Sequence, residues 1–275
     1  MNHLFFYLNG LRERMDGRGV SLFLDYDGTL APIVKTPDKA DIPRETRAAL
    51  KSLSDNKYCR LAVISGRALK DVKRRIGLKG IAYAGNHGLE IEGPGVKFRI
   101  PVSLRYKITL KKIKALLKKR LSKIKGIIIE DKGLTLSVHY RLADKKDERL
   151  LKTIFYDTLN YYIIDNKIKV KPGKKVLEIR PPLEWNKGEI VMWLLARGRH
   201  LPQWKDNIPV YIGDDITDED AFMALKDIGL TIFVGNPKSS NAEYYLKNTR
   251  EVREFLEWIL KIKTNGAICK NRPRP

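Results

Sequence analysis

With 275 residues, the chain has length for one large domain or two modest ones and for a sizeable buried core. Its 43% hydrophobic and 31% charged content describes a globular protein, and no apolar run approaches the ~20 residues that a membrane helix needs, so a membrane association is not expected. The 54 basic against 32 acidic residues, a net charge of +22, favour anionic ligands without saying whether these are nucleic acid, lipid or a phosphorylated metabolite.

The opening apolar stretch, residues 4–8, is too short for a secretory core and has no basic residues ahead of it, so a cytoplasmic location is expected. Cys59 and Cys269 are too few for a disulfide framework and read as two thiols in a reducing compartment. Five short apolar runs then share one design. Residues 20–24 run into Asp25, 61–64 into Ser65 and 81–84 into Gly85-Asn86-His87-Gly88. Residues 208–212 run into Gly213-Asp214-Asp215, and 230–234 into Gly235-Asn236. Runs this short and this rich in Val, Ile and Leu predict strands buried on both faces of a parallel sheet. Helical segments lie between them: one opened by Pro43, then 69–76, 187–196 and 219–225. Strand–helix alternation predicts a doubly wound, Rossmann-like α/β domain, whose ligands gather at the carboxyl ends of the strands. That rule places Asp25, Asp27, Ser65, Asp214 and Asp215 along one rim.

The middle of the chain, residues 104–182, has a different texture: helix, two strands (126–130 and 134–140), helix (145–162), two strands (167–170 and 175–180). Short links between adjacent strands predict a mainly antiparallel sheet covered by two helices, an α/β domain inserted into the first. The expected division is 1–103 with 183–263, an inserted 104–182, and a disordered tail over 264–275. Gly93-Pro94-Gly95 and Pro181-Pro182 mark the expected crossings. Between Ser103 and Lys125 ten basic residues and no acidic one surround Ile113, Leu116, Leu117, Leu121 and Ile124 at helical spacing, which reads as a solvated outer helix face. Only Tyr106 interleaves these lysines, so a base-stacking nucleic-acid surface is not expected. In the inserted sheet, Leu134, Leu136, Val138 and Tyr140 share one face while Thr135, Ser137, His139 and Arg141 share the other. Leu177 and Ile179 likewise oppose Lys174, Val176, Glu178 and Arg180, and Glu130 and Lys132 lie on one side of their strand. One face can pack on helices; the other gathers carboxylates, ammonium and guanidinium groups suited to sugar hydroxyls and a phosphate.

Asp25-Tyr26-Asp27-Gly28-Thr29-Leu30 follows its strand at once. Two carboxylates at this spacing can bind a divalent cation and leave one free to act, and Gly28 lets the chain turn sharply. Gly213-Asp214-Asp215-Ile216-Thr217-Asp218-Glu219-Asp220 adds a second acidic cluster. Such crowding of like charge is costly without a cation, and hard oxygen ligands suggest Mg²⁺.

Asp25-x-Asp27-Gly28-Thr29, Ser65 within Val63-Ile64-Ser65-Gly66-Arg67, Lys187, and Gly213-Asp214-Asp215 resemble the four ordered motifs of haloacid dehalogenase-type phosphatases. The closer resemblance, over about residues 20–260, is to trehalose-6-phosphate phosphatases. It rests on Gly85-Asn86-His87-Gly88, on Leu177-Glu178-Ile179-Arg180-Pro181 with Asn186-Lys187-Gly188, and on Asp214-Asp215-x-Thr217-Asp218-Glu219-Asp220. The resemblance implies a Mg²⁺-dependent phosphatase in which Asp25 is the nucleophile, Asp27 the general acid and base, and Ser65 and Lys187 hold the phosphoryl group. It implies metal binding by Asp25, by the backbone carbonyl of Asp27, by Asp214 and, through water, by Asp215. By the same resemblance the insert is a cap in which Glu130, Lys132, Arg141, Lys174 and Glu178 hold the disaccharide, with Arg67, Asn86, His87 and Gly88 on the core side; Lys171 or Lys175 could serve in place of Lys174. A sugar-phosphate substrate, a monomer and a separate trehalose-6-phosphate synthase in the same pathway are expected. The same scaffold serves sucrose-phosphate and mannosyl-phosphoglycerate phosphatases, which differ in the cap and not in the catalytic residues.

Overall fold

The computed structural model describes residues 1–199, 204, 206–236 and 239–270. The chain divides into two compact units, Met1–Val34, Ala40–Phe98 and Trp185–Pro275 in one, Lys35–Lys39 and Arg99–Glu184 in the other.

The first unit is built on nine strands: β1 (Asn2–His3), β2 (Val20–Leu24), β3 (Cys59–Ile64), β4 (Ala82–Gly85), β5 (Glu90–Gly93), β6 (Val96–Arg99), and, numbering past the four strands of the second unit, β11 (Ile208–Gly213), β12 (Leu230–Val234) and β13 (Tyr244–Leu246). Their order is β1-β13-β12-β11-β2-β3-β4-β5-β6. From β1 to β4 every neighbour is parallel, and β5 turns back antiparallel to β4. The helices are α1 (Leu8–Met15), α2 (Arg44–Asp55), α3 (Leu69–Ile76) and, after two in the second unit, α6 (Lys187–Arg199), α7 (Glu219–Leu225) and α8 (Thr249–Lys270). Strand pleating sends alternate side chains to opposite faces. Leu22 and Leu24 of β2 therefore join one buried cluster with residues of α1, α2, α3 and α8, while Phe23 joins another with residues of α6 and α7. In α2, Thr46, Ala49, Leu50 and Leu53 are the buried set, the i, i+3, i+4, i+7 stripe of an amphipathic helix. Each large apolar side chain so covered contributes ~1.5–3 kcal/mol.

The second unit has its own core. Its sheet is β7 (Ile128–Asp131), β8 (Leu136–His139), β9 (Lys169–Gly173) and β10 (Val176–Arg180), in the order β7-β8-β10-β9 with every pair antiparallel. The helices are α4 (Leu104–Arg120) and α5 (Glu148–Ile164). Ser103 caps α4 by accepting a hydrogen bond from the Tyr106 amide at 3.1 Å, satisfying one of the amides that a helix start leaves open. Ile113, Leu117, Leu121 and Ile124 are buried as the spacing predicts, but Leu116 is 40% exposed.

Gly93-Pro94-Gly95 is the turn linking β5 to β6, with Gly95 in the left-handed region, a few residues before the division at Phe98/Arg99. Two features depart from the sequence-based expectations. The short strands β1 and β13 are too brief to carry a periodic signal. The expected tail begins too early: α8 continues to Lys270, because no proline interrupts the chain before Pro273. Residues 271–275 lie outside the described residues. No described helix is both long and apolar enough to cross a membrane.

Candidate active site

Because β2, β3, β4 and β11 are parallel, the residues that follow them meet at one edge: Asp25, Ser65, Asn86 and Asp214. Asp25 is anchored by its amide to the Ile212 carbonyl at 2.9 Å and is 6% exposed. Its Oδ1 accepts from Lys187 Nζ at 2.7 Å. Asp25, Asp214 and Asp218 bring one carboxylate oxygen each within 4.8 Å of one another, all buried. Burial raises the Asp25 carboxyl well above its ordinary range; Lys187 works in the opposite direction, and Asp218 and Asp214 push it further up. Burial also disfavours the Lys187 ammonium, yet Asp218 and Asp25 outweigh it and hold the amine charged.

Asp218 has all four of its acceptor positions filled. Oδ1 takes Lys187 Nζ and the Tyr211 hydroxyl, both at 2.6 Å. Oδ2 takes the amides of Asp214 at 3.0 Å and Asp215 at 2.9 Å. A carboxylate so saturated positions its neighbours and has no lone pair left for an ion. A cation in this cluster would therefore be met by Asp25 and Asp214 rather than by Asp218. Asp215 Oδ1 accepts from the Ile216 amide at 2.8 Å and caps the next turn. Three buried carboxylates against one ammonium leave net negative charge with hard oxygen donors, a set that fits a divalent cation such as Mg²⁺.

Gly28 makes the approach of Asp214 possible. Its φ is +86°, and a Cβ there would lie 2.1 Å from Asp214 Oδ2. Gly28→Ala is therefore expected to cost about 2–4 kcal/mol through strain and displacement of Asp214; urea unfolding at an unchanged m-value measures it, and a loss below about 0.5 kcal/mol would refute the packing argument.

The Asp27 carboxylate turns away from this acidic cluster. Arg67 grips it with two donors, Nε to Oδ2 at 2.8 Å and Nη2 to Oδ1 at 2.7 Å. The third arm, Nη1, donates to Asp71 Oδ2 at 2.9 Å, and the guanidinium lies 5.0 Å above the Tyr26 ring. Asp71 in turn accepts from Arg75 at 2.8 Å and Arg74 at 2.7 Å. Burial alone would raise the Asp71 carboxyl, but hydrogen bonds from Arg74, Arg75 and Arg67 outweigh it and lower it to about 2. A depressed folded-state value stabilises the protein above the unfolded value near 3.9. That contribution, roughly 1–2 kcal/mol after solvent screening, fades as pH falls from about 4 through about 2. Acid unfolding of Asp71→Asn should lack this part of the pH dependence.

Ser65 Oγ accepts from the Arg67 amide at 3.1 Å, which leaves its hydroxyl hydrogen able to donate. The Ser65 carbonyl accepts the His87 amide at 2.9 Å, and the Arg67 carbonyl accepts the Asn86 amide at 2.7 Å. Asn86, His87 and Gly88 all have positive φ, at 49°, 52° and 83°; two of the three are not glycine, so the surrounding packing must enforce the turn. Asn86 is fully buried and donates its side-chain amide to Glu90 at 2.8 Å. The His87 ring occupies the space that a side chain at residue 66 would need, 2.4 Å from a Cβ there. The Gly88 carbonyl accepts from Trp185 Nε1 at 2.9 Å.

In the second unit, Glu130, Ser137, Glu178 and Lys171 form one cross-strand row. Glu178 is 4% exposed and accepts from Lys132 at 2.8 Å and Arg180 at 2.6 Å, with Thr135 and Ser137 at 3.4 and 3.3 Å. Glu130 pairs with His139 at 2.8 Å. Arg141 donates to the Lys174 backbone carbonyl at 3.1 Å, at the rim of the same sheet. Asp218, Tyr211 and Asp71 were not singled out from the sequence. Asp218 lay inside a recognised motif, but nothing local separates it from its acidic neighbours.

The trehalose-phosphatase family model matches residues 23–250. Probable trehalose-phosphate phosphatase D of Arabidopsis thaliana is 37% identical over 267 residues, covering 92% of this chain and 70% of the relative. Among solved structures, the C. albicans trehalose-6-phosphate phosphatase C-terminal domain superposes with a TM-score of 0.81 at 26% identity, over 95% of this chain and 99% of that one. A haloacid dehalogenase-like hydrolase from Bacteroides thetaiotaomicron shares the fold, with a TM-score of 0.60 at 16% identity over 88% and 100% of the two chains. With the family match spanning most of the chain and the acidic rim built as described, the chain belongs to the trehalose-phosphatase family.

Proposed function

We propose that the protein hydrolyses trehalose 6-phosphate to trehalose and phosphate through an aspartyl-phosphate on Asp25. The observation that carries this reading is the buried Asp25 carboxylate at the end of β2, held by Lys187 beside Asp214. An Asp25 oxygen attacks phosphorus as the bond to the sugar oxygen breaks, and Asp27 gives that oxygen its proton. Asp27 then takes a proton from water, whose oxygen displaces Asp25 from phosphorus and releases phosphate. Ser65 donates to a phosphoryl oxygen, and Lys187 supplies positive charge as it develops. Asp25 and Asp214, with the Asp27 carbonyl and Asp215 through water, would hold Mg²⁺, which when bound neutralises charge between the nucleophile and the phosphate. In the structure the bidentate grip of Arg67 holds the Asp27 carboxylate away from the acidic cluster. For the first half Asp27 must turn off Arg67, and its 45% side-chain exposure leaves room to do so.

The second unit, residues 104–182 in the sequence-based division, serves in this reading as the cap that recognises the sugar. Its buried Glu178 with Lys132 and Arg180, and the nearby Glu130, Arg141 and Lys174, supply the hydroxyl-binding groups; Arg67, Asn86, His87 and Gly88 shape the core side. A cytoplasmic monomer fed by a separate synthase belongs to the same proposal. Phosphate release from trehalose 6-phosphate, sucrose 6-phosphate and glucose 6-phosphate, each with and without Mg²⁺, tests it. Magnesium-dependent release with the highest kcat/KM for trehalose 6-phosphate is expected. A tenfold preference for another ester would discard the substrate and keep the chemistry.

A further inference from the structure

The strands that deliver Asp25, Ser65 and Asp214 to one edge of the first unit begin at the opposite edge. There Ser21 of β2, Arg60 of β3 and Asn207, just before β11, line a cavity of about 380 Å³ together with Arg14, Arg18 and Trp204. Three arginines converge on this space, and they are not equally committed. Arg14 donates to the Gly229 carbonyl at 2.7 Å and lies 3.5 Å from Glu243. Arg18 donates through Nε to the Asp206 carbonyl at 3.0 Å, and its terminal nitrogens make no hydrogen bond among the described residues. Arg60 makes no side-chain hydrogen bond or ion pair among the described residues, although it is partly buried. Burial disfavours its charged form and no carboxylate offsets it. Its Nη1 lies against Gly198, 2.0 Å from where a Cβ on that residue would stand. Two carboxylates, Asp206 and Asp227, also line the cavity, but both are exposed, where solvent screens them.

A desolvated guanidinium without a partner is unfavourable and is relieved by an oxyanion that its planar fork can bind through two hydrogen bonds. Ser21, 4% exposed, accepts from Asn207 Nδ2 at 3.1 Å, so its hydroxyl hydrogen is free to complete such a site. The volume suits a small metabolite rather than a bare ion, and Trp204 offers a flat wall for a sugar ring. We infer that this cavity is a second ligand site, remote from the catalytic edge, which binds a small phosphate-bearing molecule with Arg60 as its anchor.

Calorimetric titration of the whole, metal-free chain with inorganic phosphate, glucose 6-phosphate and glucose tests the inference. Arg60→Gln is expected to remove one phosphate-binding event, weakening it about tenfold or more, while Mg²⁺-dependent phosphatase activity is unchanged. Arg18→Gln should weaken the same event, and phosphate should raise the thermal midpoint of the wild type more than that of either variant. The quenching or enhancement of fluorescence on phosphate addition should be lost in Trp204→Phe. Equal affinity for phosphate and glucose 6-phosphate would identify the phosphoryl group as the whole determinant, and tighter binding of the sugar ester would identify a seated sugar. Identical stoichiometry and affinity in wild type and Arg60→Gln, or binding of glucose as tight as that of its phosphate ester, would overturn the inference. Because the variant acts away from Asp25, its failure leaves the phosphatase reading untouched.

Discussion

Asp25→Asn is expected to abolish phosphate release, lowering kcat by at least ~10⁴-fold, while leaving the metal-free protein as stable as the wild type or more so. The two effects come from one arrangement. The carboxylate is buried among Asp214 and Asp218, and burial with like charge raises its pKa well above the ordinary value, Lys187 notwithstanding. A group whose folded-state value is raised destabilises the fold at neutral pH, where it must be ionised. An amide of the same shape removes that penalty and the nucleophile together, the pattern of a site that trades stability for activity. Thermal unfolding of both proteins, with and without Mg²⁺, measures it. Mg²⁺ should raise the wild-type midpoint more than that of the variant. Retention of phosphate release in Asp25→Asn would remove the nucleophile, and a large fall in the metal-free midpoint would remove the electrostatic argument.

Lys187→Met should have the opposite thermodynamic sign. The ammonium lies 2.7 Å from Asp25 and 2.6 Å from Asp218, and it is 3% exposed. Its loss leaves two buried carboxylates facing each other without a cation, a situation that costs ~3–5 kcal/mol. For a chain of this size that corresponds to a fall of roughly 10 °C in the thermal midpoint. Turnover should fall by ~10²–10³-fold, as for removal of other charge-stabilising groups. A midpoint within about 2 °C of the wild type would show that the amine is a bystander.

The sequence made some parts of this architecture plain and hid others for physical reasons. The central strands were visible because a strand covered on both faces is a continuous apolar run, as in Val20-Ser21-Leu22-Phe23-Leu24, where all five residues are buried. Asp25 and Asp214 were visible because parallel strands present their carboxyl ends to ligands. The division of labour among the acids from Asp214 to Asp220 was not visible. It depends on which carboxylate meets Lys187 and Tyr211 across the fold, contacts 31 and 7 positions away. Likewise the spacing of Asp25 and Asp27 left one carboxylate free to act, but it could not show that a residue 40 positions on draws the Asp27 side chain to itself. The alternation in the second sheet did place Glu178, Lys132 and Glu130 on a common face, since pleating alone decides it. That Glu178 is buried under Arg180 and Lys132 needed the register of β8 against β10.

The position of β2 has a consequence for biosynthesis. Its two edges pair with β3 and β11, but β11 leaves the ribosome about 180 residues after β2 does. At ~5–20 residues per second this interval is on the order of 10–40 s. Throughout it a strand destined for full burial holds one row of unpaired amides and carbonyls, a template for pairing with any other extended chain. Yield of the soluble protein should therefore respond more to translation speed and to chaperones that bind nascent chains than to the stability of the finished fold.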